Sequence, residues 1–587
     1  MIRGATAMLR ARALPLFALM VLVAWIEYLR RYVPSVSRGD FFLAILREDA
    51  DVGAGRWSDA IVWPFEILGG HIVFYERVLQ LVNYYLFSYS PVFVKTVALG
   101  AWVLLAVGLW RFARRLPVGR DAQAGALLAL AVISFNPIPW ETLAWPDATV
   151  PYLSSLIALL FALPYLVRVL DAPSSAGHGS LFVFLCLVVI MGSGVGWAII
   201  PTVMWLMAVA SVTERRYARL KVMALVAAVL IGLAAALILL FPRALRLSLV
   251  TESLGALPQN FDQFLGYFFS LFATLFGLRE RPFSSWVGAG FFIASFAVYL
   301  LYKRRFRKVT EEEILYIFGL GSVLLVTLGR WKLNVDRGAA VTYYHLFALP
   351  AFYGAIVMSL RLLPAGVMGT GGVAAAAVLV SVMAPQLGFY HHNLQEQSTA
   401  YQNMIPAVRG WRMTEATRLI GSPGHNEDIF FDYLPRLKAQ GRYRQLSDDY
   451  HPYRSSRIAP PRTTTNPRSC SQDYRNLEVF DSRTDDRAAY TQGTPQQPFH
   501  RFVGAARNGF DCEQGEISIS LVDAAGVVQC KSWTTLAVYW HYDVPQHSEI
   551  LRSPYAFDFS CPMEAGEYFL VTQDSAGHVL ETVKVAR

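Results

Sequence analysis

Asn136 to Asp147 reads NPIPWETLAWPD and separates two strongly apolar runs, ALLALAVISF before it and ATVPYLSSLIALLFALPYLV after it. Three prolines, two acids and two tryptophans break what would otherwise be continuous oily chain. Similar runs recur on both sides, among them ALPLFALMVLVAWIEYL, VALGAWVLLAVGLW, VMALVAAVLIGLAAALILLF and GGVAAAAVLVSVMA. Their lengths approach or reach what is needed to cross a hydrocarbon core of about 30 Å. The composition agrees. Of 587 residues 54% are hydrophobic and only 16% charged, against roughly 25% charged in soluble domains. The chain is therefore read as an α-helical polytopic membrane protein.

About eleven spans are expected, over 13–30, 91–110, 122–135, 148–170, 180–192, 196–212, 219–241, 286–302, 313–328, 339–360 and 366–384. Lys and Arg mark one set of connections, MIRGATAMLRAR, RFARRLPVGR, RVLDAPSSAGHG, TERRYARLK, KRRFRK and RLLPAG. The alternate set includes NPIPWETLAWPD and GSGVG, with no Lys or Arg. The positive-inside rule then puts the N-terminus in the cytoplasm and the C-terminal region in the periplasm of a bacterial inner membrane. The net charge of +9 is accounted for by these loops and implies no nucleic-acid partner. GSGVG reads as a tight turn between two spans.

Three regions follow. Residues 1–385 form the membrane unit, with outer loops of about sixty (31–90) and about forty (242–285) residues, too long for simple connectors. Residues 386–460 form a polar, helical connector. Residues 461–587 contain short alternating segments such as EISISLVD, VVQCKSW and EYFLVTQD, which predict a periplasmic β-sandwich. Of five cysteines, Cys186 lies in a span, and Cys470, Cys512, Cys530 and Cys561 lie in this tail. An even set in an exported domain predicts two disulfides with the pairing open. In the first outer loop, WSDAIVWPFEILGG and HIVFYERVLQLVNYYLF read as amphipathic interfacial helices joined at Gly69 and Gly70. His71, Tyr75, Val78, Val82 and Tyr85 share one stripe of the second.

Polar residues collect at the outer rim: Asp40, Asp49, His71, Glu76 and Arg77 in the first loop, Glu141 and Asp147 in the second, and Arg330, Lys332 and Arg337 before the tenth span. Such a rim suits a reaction fed by a lipid-borne donor, since no nucleotide sugar is available outside the cell. A sugar on a polyprenyl phosphate needs a carboxylate to deprotonate an acceptor hydroxyl or hold a divalent cation such as Mg or Mn. It also needs cations for the departing phosphate and aromatics for the sugar and lipid boundary. The sequence itself identifies no metal.

GGHIVFYERVL, NPIPWETLAW and GRWKLNVDRGAAVTYYHLF, together with the long first outer loop and exported tail, resemble the C-type glycosyltransferase (GT-C) superfamily. That group includes protein mannosyltransferases and oligosaccharyltransferase catalytic subunits. Within it these stretches are similar to bacterial multispanning proteins with a His-Arg at the interfacial helix, a Trp-Glu-Asn after the third span and a Gly-Arg before a Ser-Arg-Tyr. Here His71, Trp140, Glu141, Gly329 and Arg330 match, whereas Ile72, Thr142 and Tyr343 depart. The resemblance implies Asp40 as the acceptor-activating acid, with Asp49 as the alternative. Glu141 would be a second acid, and Arg330 the phosphate ligand aided by Lys332 or Arg337. His71, Arg77, Trp140 and Asp147 complete the substrate-binding candidates. Plainer roles exist: Arg77 as a headgroup anchor, Trp140 and Trp145 as an aromatic belt, and His71 as a helix cap. The expected activity is sugar transfer to a glycan, lipid or protein acceptor. A polysaccharide polymerase or ligase, a lipid-linked-sugar flippase, and a glycan-binding structural or sensory protein are the alternatives. Inverted repeats or broken helices with polar groups at the bilayer midplane would favour transport.

Overall fold

The computed structural model describes residues 19–33, 71–88, 90–144, 146–171, 176–214, 255–278, 283–331, 344–364 and 367–409. It also describes tail segments 477–485, 499–506, 518–533, 556–562, 566–573 and 579–586, and isolated positions between 16 and 68 and between 228 and 235. Two compact units emerge, one of residues 1–35, 48–82 and 92–395, the other of 36–47, 83–91 and 396–587.

The first unit is helical. Its elements are α1 (19–32), a two-residue hairpin of β1 (Ile67–Leu68) and β2 (His71–Ile72), α2 (Phe74–Leu86), α3 (Pro91–Arg115), α4 (Arg120–Ser134), α5 (Trp140–Ala144), α6 (Pro146–Asp171) and α7 (Ala176–Ile190). After a 3-10 turn at Gly194–Ala198 come α8 (Ile199–Glu214), α9 (Phe261–Ala273), α10 (Phe283–Arg305), α11 (Glu311–Arg330), α12 (His345–Leu362) and α13 (Met368–Arg409). Among the described residues six helical segments are long and apolar enough to cross a membrane: Val92–Arg115, Thr149–Leu170, Phe283–Arg305, Glu311–Arg330, His345–Leu362 and Met368–Gln395. Their outward residues are large and apolar. Trp286 on α10 is 74% exposed, and Ile293, Leu300, Val378 and Val380 are also open. Such surface is unfavourable in water at about 25 cal/mol per Å² and at home against lipid.

The other expected spans are shorter or only partly described. Ser180–Ile190 and Gly194–Leu206 are shorter apolar helices, and α4 has 15 residues, about 22 Å at 1.5 Å per residue. The 219–241 run lies largely outside the described residues. A third short apolar helix, Phe261–Phe276, occupies what was expected to be outer loop. It lies parallel to the start of α10. Ser285 Oγ donates to the Gly266 carbonyl at 3.0 Å and pairs with Ser270 at 2.8 Å, while Phe272 and Phe276 meet Phe291. A Cβ on Gly288 would fall 1.8 Å from the Phe269 carbonyl oxygen, so the two backbones touch only because that residue is glycine. A parallel neighbour enters and leaves from one side, which makes α9 re-entrant. The irregular backbone at its inner tip is tolerated because it is buried in protein: Tyr390 donates to the Gly277 carbonyl at 2.8 Å.

The basic loops gather at one end. Arg115, closing α3, pairs with Glu311, opening α11, at 2.8 Å. Arg305, closing α10, donates to Leu362 O, closing α12. Gly125 near the start of α4 abuts Gly369 and Gly372 near the start of α13. At the opposite end, Lys95 of α3 donates to Arg30 O of α1, and Tyr28 meets His391 of α13 at 2.9 Å. α13 runs on through Arg409, so residue 385, the expected limit of the membrane unit, falls within a helix.

The tail holds two antiparallel sheets. One has the order β3 (Leu477–Asp485), β4 (Phe499–Ala506), β7 (Ala556–Pro562); the other β6 (Val528–Trp533), β5 (Ser518–Asp523), β8 (Glu567–Gln573), β9 (Val579–Ala586). Leu521, Val522, Leu570 and Val571 are all buried, so both faces of the central strands β5 and β8 are covered. The β5–β6 turn is built by Asp523. Its Oδ1 accepts from the backbone of Ala525 and Val527 and its Oδ2 from Gln529, while Gly526 supplies φ +79°. Cys530 lies on β6 and Cys561 on β7. Their side chains, and all of Cys470 and Cys512, lie outside the described residues, as does the connector from 410 to 460. Among the described residues Cys186 is a buried free thiol.

Candidate functional site

The loop Asn136–Asp147 is not a surface loop. Asn136, Ile138, Trp140, Thr142 and Leu143 are buried. Asn136 caps the end of α4, donating from Nδ2 to Ile133 O at 2.9 Å, and its Oδ1 accepts the Ile138 N–H at 3.0 Å. Pro137 and Pro139 have no N–H to continue the helix, so the chain turns here and starts α5 at Trp140. Trp140 is 4% exposed, which removes it from any lipid-facing aromatic belt. Its indole N–H finds no acceptor among the described residues. Glu141 follows within α5 and Asp147 in the first turn of α6; their side chains lie outside the description.

The GSGVG stretch behaves as expected of a tight turn. A Cβ at Gly192 would lie 2.6 Å from Ser155 N, and one at Gly196 2.2 Å from Val189 O. Ser154 and Ser155 donate to the Gly192 and Val189 carbonyls. This turn supports α2, whose Tyr75 hydroxyl donates to Val188 O at 2.6 Å. Burial there pushes the Tyr75 phenol up to about 12.

α2 presents its polar face inward. Glu76, Arg77 and Gln80 are buried, with Arg77 only 2% exposed, and Asn83 continues the same stripe one turn on. Gln80 Nε2 donates to Glu76, and Gln80 Oε1 accepts nothing among the described residues. Arg77 is therefore no headgroup anchor. The residues facing out are instead Tyr85 and Leu86. The sequence reading laid this helix in the membrane interface, counted Glu76 only among the rim residues and gave Gln80 no part. The available signal was the i, i+4, i+7 spacing of Glu76, Gln80 and Asn83. His71 stands before the helix, in β2, paired with Leu68. The first interfacial segment thus ends in a strand, not a helix, and the His71 side chain lies outside the description.

Arg330 is the last residue of α11 and is half-buried. Next to it Trp331 is buried against Phe264 of α9, its indole N–H without an acceptor among the described residues. His345, opening α12, is wholly buried beside the Thr274 backbone and makes no hydrogen bond of full geometry. Arg330, Trp331, His345 and the Glu76 stripe thus all belong to the end of the bundle away from the basic loops. Asp40, Asp49, Lys332 and Arg337 lie outside the described residues. Among the described residues no three His, Cys, Asp or Glu side chains form a metal-holding group.

The fold so defined is that of a multi-span helical membrane protein. No protein-family model, curated protein or solved structure matches the chain.

Proposed function

We propose that this protein is a membrane glycosyltransferase that takes a sugar from a polyprenyl-phosphate donor at the non-basic, periplasmic end of its bundle. The observation that carries this reading is the inverted helix α2. It buries an acid, a guanidinium and an amide, Glu76, Arg77 and Gln80, against an apolar bundle. Ionisable residues held inside a membrane domain are costly to bury and mark functional sites.

In the reaction an acceptor hydroxyl oxygen attacks the anomeric carbon. The bond from that carbon to the phosphate oxygen breaks, and the polyprenyl phosphate leaves with the electron pair. A carboxylate takes the hydroxyl proton. Asp40, Asp49, Glu141 and Glu76 are the candidate acids, and Arg330 and Arg77, with Lys332 and Arg337, the candidate cations for the phosphate.

The test is transfer of radiolabelled hexose from polyprenyl-phosphate donors by purified protein in liposomes. Asp40→Asn, Glu76→Gln and Glu141→Gln are compared at equal thermal stability. Loss of the acting base should lower turnover by about 10²-fold or more, and Arg330→Gln should raise the donor concentration required. Full activity in all four variants would remove the site. The absence of donor turnover by the wild type across the hexose panel would remove the function.

A further inference from the structure

The basic end of the bundle encloses a cavity of about 460 Å³ between the α3–α4 turn, the α10–α11 turn and Arg361 of α12. Five cations line it, Arg115, Arg305, Arg307, Lys308 and Arg361, with two carboxylates, Glu311 and Glu312. The carboxylates are already engaged. Glu311 receives Arg115 through Nε at 2.9 Å and Nη2 at 2.8 Å. Glu312, buried, receives Arg361 and the Tyr302 hydroxyl. Arg305 donates to Leu362 O at 3.0 Å. Among the described residues Arg305, Arg307 and Lys308 form no ion pair, and all three are exposed.

The arrangement is built as well as charged. The Phe306 ring holds the guanidiniums of Arg361 and Arg305 at 4.5 and 5.4 Å from its centroid. Arg361 also donates to the Tyr302 hydroxyl at 2.5 Å. Two arginines are therefore stacked on one aromatic side chain at the rim of a hollow; Glu312 balances Arg361 and Glu311 balances Arg115, so Arg305, Arg307 and Lys308 leave the hollow with an excess of positive charge that attracts an anion. Orientation of a membrane protein needs only basic loops; exposed Arg304 and Arg120, outside the cavity lining, meet that need. It needs neither a hollow nor guanidiniums fixed by carboxylates and a ring. Planar guanidinium forks match phosphate oxygens. The cavity lies where α3, α10, α11 and α12 begin or end, which is headgroup depth for helices of spanning length.

We infer that this cavity binds the phosphate of an anionic phospholipid in the leaflet at the basic end, clamping α3, α10, α11 and α12 together. This binding is independent of any transfer reaction at the opposite end. The shared chemistry is phosphate recognition, so a soluble phosphate ester is the competing source.

The experiment follows thermal unfolding of the full chain in neutral detergent while phosphatidylglycerol, phosphatidylcholine or inorganic pyrophosphate is added. Phosphatidylglycerol should raise the unfolding temperature saturably and phosphatidylcholine should not. The triple variant Arg305→Gln/Arg307→Gln/Lys308→Gln should need roughly a hundredfold more phosphatidylglycerol, at about fivefold per cation. A control triple, Arg114→Gln/Arg120→Gln/Arg304→Gln, removes the same charge outside the cavity and should respond as the wild type does. If the cavity triple does not fold, Lys308→Gln alone, with a shift of about fivefold, serves the same comparison. Equal weakening in both triples, or in neither, overturns the site. Stabilisation by pyrophosphate with phosphatidylglycerol inert overturns the lipid.

Discussion

Lys303 and Glu313 show what a charge costs inside this bundle. Glu313 is fully buried and Lys303 nearly so, with Nζ 3.0 Å from Oε2. Tyr299 donates to the other carboxylate oxygen at 3.2 Å, and Trp205 donates to Tyr299. Removing one partner strands the other. Lys303→Met should destabilise the detergent-solubilised protein by about 3–5 kcal/mol, whereas Lys303→Met with Glu313→Gln should recover most of the loss. Thermal unfolding of the single and double variants checks this, and a double variant as unstable as the single would show that the pair is not the cause. The sequence displayed KRRFRK and, three residues after its last Lys, Glu311–Glu313, but only as an orientation signal. Pairing across helix ends cannot be read from a run of like charges, because it depends on which helices become neighbours.

The helices were most legible where they are long. Six of the expected spans recur at full length because an 18-residue apolar window has one reading. The segment before α10 was hidden by its brevity. FDQFLGYFFSLFA is aromatic and apolar yet too short to cross, so it passed for loop. The buried polar stripe of α2 was missed for a different reason: in lipid the outside is as apolar as the core, and the polar stripe is the one that seeks protein.

Helix contact adds a prediction. α11 and α12 touch through small residues, since a Cβ on Gly319 would lie 2.1 Å from Ala351 N and one on Gly354 2.5 Å from Glu312 O. Close backbone approach is the main source of helix association where lipid removes the hydrophobic drive. Gly319→Leu should cost about 3 kcal/mol or more by forcing these helices apart. Gly290→Leu, with nothing within 4 Å of its Cβ, should be near neutral. Paired melting curves of the two variants decide the point.

For the whole molecule the charge pattern in the sequence and the geometry agree on one matter: among the described residues the basic junctions α3–α4, α10–α11 and α12–α13 share an end. That the end faces the cytoplasm is the expectation to test. With the four tail cysteines replaced by Ala and Cys186 buried, an impermeant maleimide on intact cells should label Gln259→Cys and leave Arg307→Cys unlabelled until the cells are opened. Both positions are exposed. The reverse pattern would turn the protein over and place the Glu76 stripe on the cytosolic side. The tail chemistry stayed illegible because four cysteines fix no pairing and short strands fix no partner.

The way α9 lies against α10 bears on how the chain is made. A hairpin that returns to its starting side is not threaded across the bilayer, so it contributes nothing to the odd-or-even tally that decides sidedness. Every element from α10 onward keeps its direction only if that tally omits it. Its seat is formed by Ser284, Ser285 and Gly288, residues translated later than the hairpin itself. The hairpin's docking surface is therefore complete only after the ribosome has passed beyond the hairpin.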